Sequence, residues 1–129
     1  MSLRSPLGRV LGMGSAKDGT GHWWAQRVTA VALVPLTLWF FFSLLLLPGL
    51  DYETVRDWLA QPFSCLLALL SIAVLTYHSY LGTTVIIEDY VHGAPAKVAS
   101  LMLLRFLYVL FGGAGVLAIL RVAFGSSSP

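Results

Sequence analysis

The chain has 129 residues, of which 57% are hydrophobic and only 11% charged, with a formal charge of +2 and a mean hydropathy of +0.81. An ordinary soluble domain carries about 25% charged residues, so this chain lacks the polar surface to cover a water-soluble fold. The small charge, without a Lys/Arg-rich run, argues against nucleic acid as a partner, and the single cysteine, Cys65, excludes an internal disulfide or a multi-cysteine metal site.

Residues 1–21 are Gly- and Ser-rich and basic, with Arg4, Arg9 and Lys17, and read as a cytoplasmic arm. The two arginines resemble the start of a signal peptide. However, the first apolar run begins only near Val28, and no small-residue cleavage site follows it. Trp23 and Trp24 suit the headgroup level of a bilayer. Arg27 follows, then an apolar stretch to Leu47 broken by Thr29, Pro35, Thr37 and Ser43. A first span over about 25–47 is predicted, bent at Pro35, where one backbone donor is missing. Pro48 and Gly49 end it. The loop to Gln61 holds Asp51, Glu53, Arg56 and Asp57, and reads as a short amphipathic turn of helix with Tyr52 and Trp58 at the interface.

Pro62 suits the first turn of a second span over about 63–88. Gly93, Ala94 and Pro95 make a tight turn. A third span over about 97–124 carries Gly112, Gly113, Ala114 and Gly115 as a smooth patch for close helix approach, and residues 126–129 form a polar tail. The fold class is thus all-α, an integral membrane domain (22–125) of three transmembrane helices, each run near the ~20 residues a bilayer requires. Lys and Arg concentrate on the arm and the second turn, which share one side. The positive-inside rule predicts a cytoplasmic N-terminus and a periplasmic C-terminus. Arg27 and the pair Asp89–Tyr90 then fall at the same face.

Chemistry concentrates in residues 74–92. His78 lies well inside an apolar helix, and Asp89 follows eleven residues later, about 16 Å along the axis and about 20° around it. An intramembrane histidine needs a partner, a ligand or a cavity. Periodicity alone leaves two readings open, an interhelical hydrogen bond and axial ligation of haem iron, to which neutral imidazole is a common ligand. Gly82, one turn on, would leave room for a flat macrocycle, and a second histidine ligand would have to come from another chain. Acidic residues at a helix C-terminus oppose the macrodipole, so Glu88 and Asp89 ask for a compensating partner, for which Arg27 is the candidate. Asp89 and Tyr90 are read either as a solvated helix end or as a quinone pocket, in which the phenol donates to a carbonyl oxygen and the carboxylate supports it or relays a proton. Arg27 is read either as a headgroup-snorkelling arginine or as the partner of a haem propionate. His22 and His92 read as interfacial, and the aromatic run from Trp39 to Phe42 as packing or lipid-facing surface. A relay between His78 and Asp89 in a small transporter or structural subunit is the competing class.

The pattern Tyr77-His78-Ser79-Tyr80-Leu81-Gly82, followed by Glu88-Asp89-Tyr90-Val91-His92, resembles the hydrophobic membrane-anchor subunit of succinate dehydrogenase (complex II), especially its alphaproteobacterial members. Residues 14–30, with Gly21-His22-Trp23-Trp24 and Gln26-Arg27-Val28-Thr29, resemble the family's N-terminal region, although some distant members lack the Gly-His-Trp-Trp element. The resemblance covers most of the chain. It implies half of a heterodimeric anchor bundle in the bacterial inner membrane. The partners would be a second, cytochrome b556-type anchor, an iron–sulfur subunit and a flavoprotein, and the complex would carry electrons from succinate to the quinone pool, linking the tricarboxylic acid cycle to the respiratory chain. Under it His78 is the axial ligand of haem b, Tyr90 binds ubiquinone, Asp89 supports that site, and Arg27 lies near the propionates or the quinone. A fumarate reductase anchor, with the reverse reaction, is the near alternative. The chain has no GxGxxG after a strand or other flavin signature, and it is not expected to oxidise succinate alone.

Overall fold

The computed structural model describes residues 15–125, with side chains from residue 20 onward. Four helices follow in order: α1 (Ser15–Leu46), α2 (Tyr52–Ala60), α3 (Pro62–Tyr90) and α4 (Ala94–Phe124). Three of them are long and apolar enough to cross a membrane, over Thr20–Leu46, Pro62–Tyr90 and Ala94–Phe124. The chain is an all-α, multi-pass membrane protein.

Three boundaries differ by two residues or more from the sequence reading; one is the start of α4 at Ala94, so that Ala94 and Pro95, expected in the turn, are its first residues. α1 starts at Ser15, so the last residues assigned to the arm are its first turns. Residues 1–14, with Arg4 and Arg9, lie outside the described residues, as does the tail 126–129. α3 runs two residues past the expected end, through Asp89 to Tyr90. Gly93, at φ 95°, then turns the chain, a backbone region that side chains with a Cβ rarely adopt. Prolines open both α3 and α4, where a missing N–H costs no helical hydrogen bond. Pro35 sits inside α1 without ending it.

α3 is the central element and packs along both α1 and α4, while α2 packs against α3 and α4. Among the described residues, no Cα of α1 comes within 8 Å of one in α4. The three spans therefore form an open layer at the Asp89 end. At the other end, Trp58 and Leu59 of α2, Cys65 and Ala68 of α3 and Ala123 of α4 make a buried cluster, with Trp39 and Leu44 of α1 packed on it. Trp39 and Trp58 stack with centroids 5.6 Å apart. Cys65 is a buried free thiol within this packing.

The glycine patch divides by position. A Cβ on Gly112 would sit 2.9 Å from Thr76 Cγ2, and one on Gly115 would sit 3.1 Å from Ile72 Cγ2, so these two set the α3–α4 approach. Gly113 would meet nothing within 4 Å. α2 is fixed by its N-cap: Asp51 accepts from the Thr54 amide at 3.2 Å and from the Thr54 hydroxyl at 2.8 Å. Those two bonds, the hydroxyl first, hold the Asp51 carboxyl below its usual range.

Candidate functional site

The sequence-selected histidine sits on the α1 side of α3. His78 Nδ1 lies 2.9 Å from Thr29 Oγ1, a contact that spans 49 residues of sequence. Thr29 also donates back along its own helix: its hydroxyl is 2.7 Å from the Ala25 carbonyl and 3.1 Å from that of Gln26. This back-bonding to the preceding turn is common for threonine within helices. His78 thus has the interhelical partner that one of the two sequence readings required. That bond uses one ring nitrogen. Nε2 has no hydrogen-bond partner among the described residues, so the bond leaves ligation open.

The stripe continues up α1. Gln26 and His22 precede Thr29 by three and seven residues and share its side of the helix. His22 Nε2 and Gln26 Oε1 are shielded from solvent and lack hydrogen-bond partners among the described residues. Such atoms are costly unless a group from outside the chain meets them. Gly82 lies against this stripe, where an added Cβ would be 3.7 Å from Gln26 Nε2. That distance is an ordinary van der Waals contact, so Gln26 borders the space beside Gly82 without closing it.

Arg27 differs from expectation. It lies two residues above Thr29 on α1 and so is level with Tyr80 and Leu81, about 13 Å short of Asp89 along the seam. Its guanidinium sits 5.4 Å from the Trp23 ring centroid, a cation–π contact. Among the described residues the one salt bridge joins Arg56 to Glu53 at 3.1 Å. The ion pair expected between Arg27 and the acidic end of α3 does not form within this chain. Glu88, Asp89 and Tyr90 are exposed, Tyr90 by 76%. His78 and Asp89 stand about three turns apart with different surroundings, so no direct relay joins them.

On its opposite side α3 repeats the threonine device. Thr83 donates to the Ser79 carbonyl at 2.9 Å, so the Tyr108 hydroxyl, 2.9 Å away, donates to Thr83. Tyr80 packs edge-on to Tyr108 at 5.9 Å. Beside them Tyr77, Arg105, Gly112 and Gly113 line an open groove of about 490 Å³. An apolar cavity of about 590 Å³ lies between α1 and α3 near the Trp58 cluster, with Ser71 in its wall. Among the described residues, no three His, Cys, Asp or Glu side chains converge as a metal cage.

Sequence reasoning passed over Thr29 and Gln26, the residues the structure places against His78 and Gly82. Their spacing from His22 was a usable signal: positions 22, 26 and 29 recur at i, i+4 and i+7 on an otherwise apolar helix.

Residues 1–114 match the family model for the succinate dehydrogenase/fumarate reductase transmembrane subunit. The chain is 35% identical over 126 residues to the succinate dehydrogenase hydrophobic membrane anchor subunit of Paracoccus denitrificans, covering 98% of this chain and 97% of that one. It is 34% identical to its counterpart in Rickettsia bellii, over 69% and 71% of the two chains. With the succinate dehydrogenase membrane anchor subunit of Reclinomonas americana it shares 33% identity over 72% and 80%.

Proposed function

Because the chain belongs to the succinate dehydrogenase/fumarate reductase transmembrane subunit family, we propose that it anchors succinate:ubiquinone oxidoreductase in the bacterial inner membrane and helps hold haem b and ubiquinone there. Membership makes it a membrane-anchor subunit of an enzyme complex, working beside other subunits. The partners are a second anchor chain, an iron–sulfur subunit and a flavoprotein, with the N-terminus cytoplasmic and the C-terminus periplasmic. The relatives' names favour succinate oxidation over fumarate reduction.

The observation that carries the cofactor reading is His78. Its Nδ1 is committed to Thr29 and its Nε2 is unpaired among the described residues. An imidazole with one nitrogen held by the protein is the form in which histidine serves as a metal ligand. Bound at Nε2, haem b would supply one-electron storage between the soluble subunits and the quinone. His78 binds and orients, and the Thr29 contact fixes the ring plane. The buried polar atoms of His22 and Gln26, without partners among the described residues, fit a seam completed by a polar neighbour. Arg27, exposed beside Trp23 and within about a turn of the level of His78, supplies positive charge for a propionate.

Tyr90 and Asp89 belong to the quinone in this reading. Ubiquinone takes two electrons and two protons to become ubiquinol, and the exposed end of α3 offers a phenol, two carboxylates and water together. The Tyr90 hydroxyl donates to a quinone carbonyl oxygen and holds it in place. Asp89 supports that phenol and relays protons from the cytoplasmic water. The exposure of both residues in the isolated chain accords with a pocket whose remaining walls come from partner subunits.

The test is a reduced-minus-oxidised visible spectrum of the complex purified with its native partners, for wild type and His78→Ala. Wild type should show b-type haem bands and contain a flavoprotein. The variant should lose the haem bands while the four subunits still copurify. An assembly without haem bands, or a His78→Ala complex that retains them unchanged, overturns the cofactor assignment.

A further inference from the structure

The hydrogen-bond accounting around Thr29 decides which nitrogen of His78 carries the proton. A threonine hydroxyl has one proton to donate and lone pairs to accept with. The nearest acceptor is the Ala25 carbonyl at 2.7 Å, and the next is the Gln26 carbonyl at 3.1 Å. Both are backbone oxygens of the same helix, so the proton points back along α1. At 2.9 Å from His78 Nδ1, the hydroxyl oxygen then faces the ring with a lone pair. The reverse arrangement would take the proton from its 2.7 Å bond and place an N–H on Nε2, which has no acceptor among the described residues. Thr83 is built the same way on the far side of α3, donating to Ser79 and accepting from Tyr108.

We propose that Thr29 is a positioning residue for His78: its hydroxyl accepts the Nδ1–H proton, fixing the ring tautomer and presenting an unprotonated Nε2 as the iron ligand. This rests on His78 ligating haem, as argued above. Thr29 never touches the iron. It acts by selecting the tautomer, holding the ring plane against α1 and making Nε2 a stronger donor through the hydrogen bond at Nδ1. Outer partners of ligating histidines are worth roughly 10–100-fold in metal affinity or activity. Thr29 also ties the ligand on α3 to the helix that carries Arg27, so one contact sets both ring orientation and the depth at which the two helices meet.

The experiment uses the four-subunit complex carrying Thr29→Val, which keeps the shape and removes the hydroxyl, and Thr29→Ser, which keeps the hydroxyl. Three quantities are read: haem per flavin after detergent washing, the haem midpoint potential, and the ferric EPR signal. Thr29→Val should weaken haem retention by about tenfold or more. It should also move the potential to a more positive value, because a weaker imidazole donor stabilises the ferric state less, and shift the EPR signal as the ring turns. Thr29→Ser should restore all three. If Thr29→Val fails to assemble, Thr29→Ala, which adds no apolar branch, carries the same comparison with Thr29→Ser. Haem content, potential and EPR signal unchanged without the hydroxyl overturn the proposal while leaving His78 as a ligand. A wild-type complex without haem, or one whose haem survives His78→Ala, removes instead the ligation on which it rests.

Discussion

Tyr90 is 76% exposed, far too open to be a packing residue of this chain alone. Its hydroxyl is the group that Tyr90→Phe removes. Losing one hydrogen bond to a quinone carbonyl costs about 1 kcal/mol, so quinone reductase activity should fall several-fold to tenfold. Succinate oxidation by an artificial soluble acceptor should persist in the same preparation. Equal loss of both activities would point to assembly, and unchanged quinone kinetics would remove Tyr90 from the site. His78, Asp89 and Tyr90 stand out as candidates in the sequence because each is a polar residue on an apolar helix. Thr29 was not: one threonine in a span looks like a tolerated interruption until the register of α1 against α3 is known. The depth of Arg27 was hidden for the same reason. Residue counting placed it level with Asp89, but the register fixed by Thr29 against His78 sets it about two and a half turns below.

The three spans themselves were readable from length, hydropathy and proline placement, although α1 begins ten residues before its predicted start. What the pattern could not separate was which glycine matters. Gly112, Gly113 and Gly115 look alike in sequence, yet only two face α3. Gly112→Ala forces a methyl against Thr76 Cγ2, on a β-branched side chain with little freedom in a helix. Overpacking of this kind costs about 1–3 kcal/mol. The complex should melt several degrees lower in Gly112→Ala and unchanged in Gly113→Ala, and adding Thr76→Ser, which deletes Cγ2, should recover much of the loss.

The short helix α2 gives a pH prediction outside the spans. Thr54 lowers the Asp51 pKa through its hydroxyl and its amide, so the folded value lies below that of the unfolded chain. The cap therefore contributes fully above the free-aspartate range, around 3.9, and is lost as pH falls through the depressed value. Carboxyl NMR should find the Asp51 midpoint below that of free aspartate, and Thr54→Val should move it back up.

For the molecule as a whole, many large apolar side chains remain uncovered, including Leu45, Leu46, Phe106, Val109 and Phe111. A bilayer and the other subunits of the complex account for them together. Internal cohesion is concentrated at the Trp58 end, where side chains from all four helices meet. Trp58→Ala should cost about 3–5 kcal/mol and appear as early thermal dissociation of the complex in size-exclusion profiles, before any change in haem spectrum. The existence of three spans was legible in the composition. The clustering of cohesion at one end was not, because it depends on α2 folding back over the spans.

The absence of a close backbone contact between α1 and α4 among the described residues makes α3 a shaft between two bearings. One bearing is Thr29 on His78, and the other is Tyr108 on Thr83 with Gly112 against Thr76. A shaft held this way transmits rotation. A change on the α4 side that turns α3 by a few degrees must also turn the imidazole, which is hydrogen-bonded on the α1 side. Gly112→Ala should then leave a trace at a place it never touches, as a displaced ferric EPR signal in the assembled complex, and Thr76→Ser should return that signal along with the melting temperature.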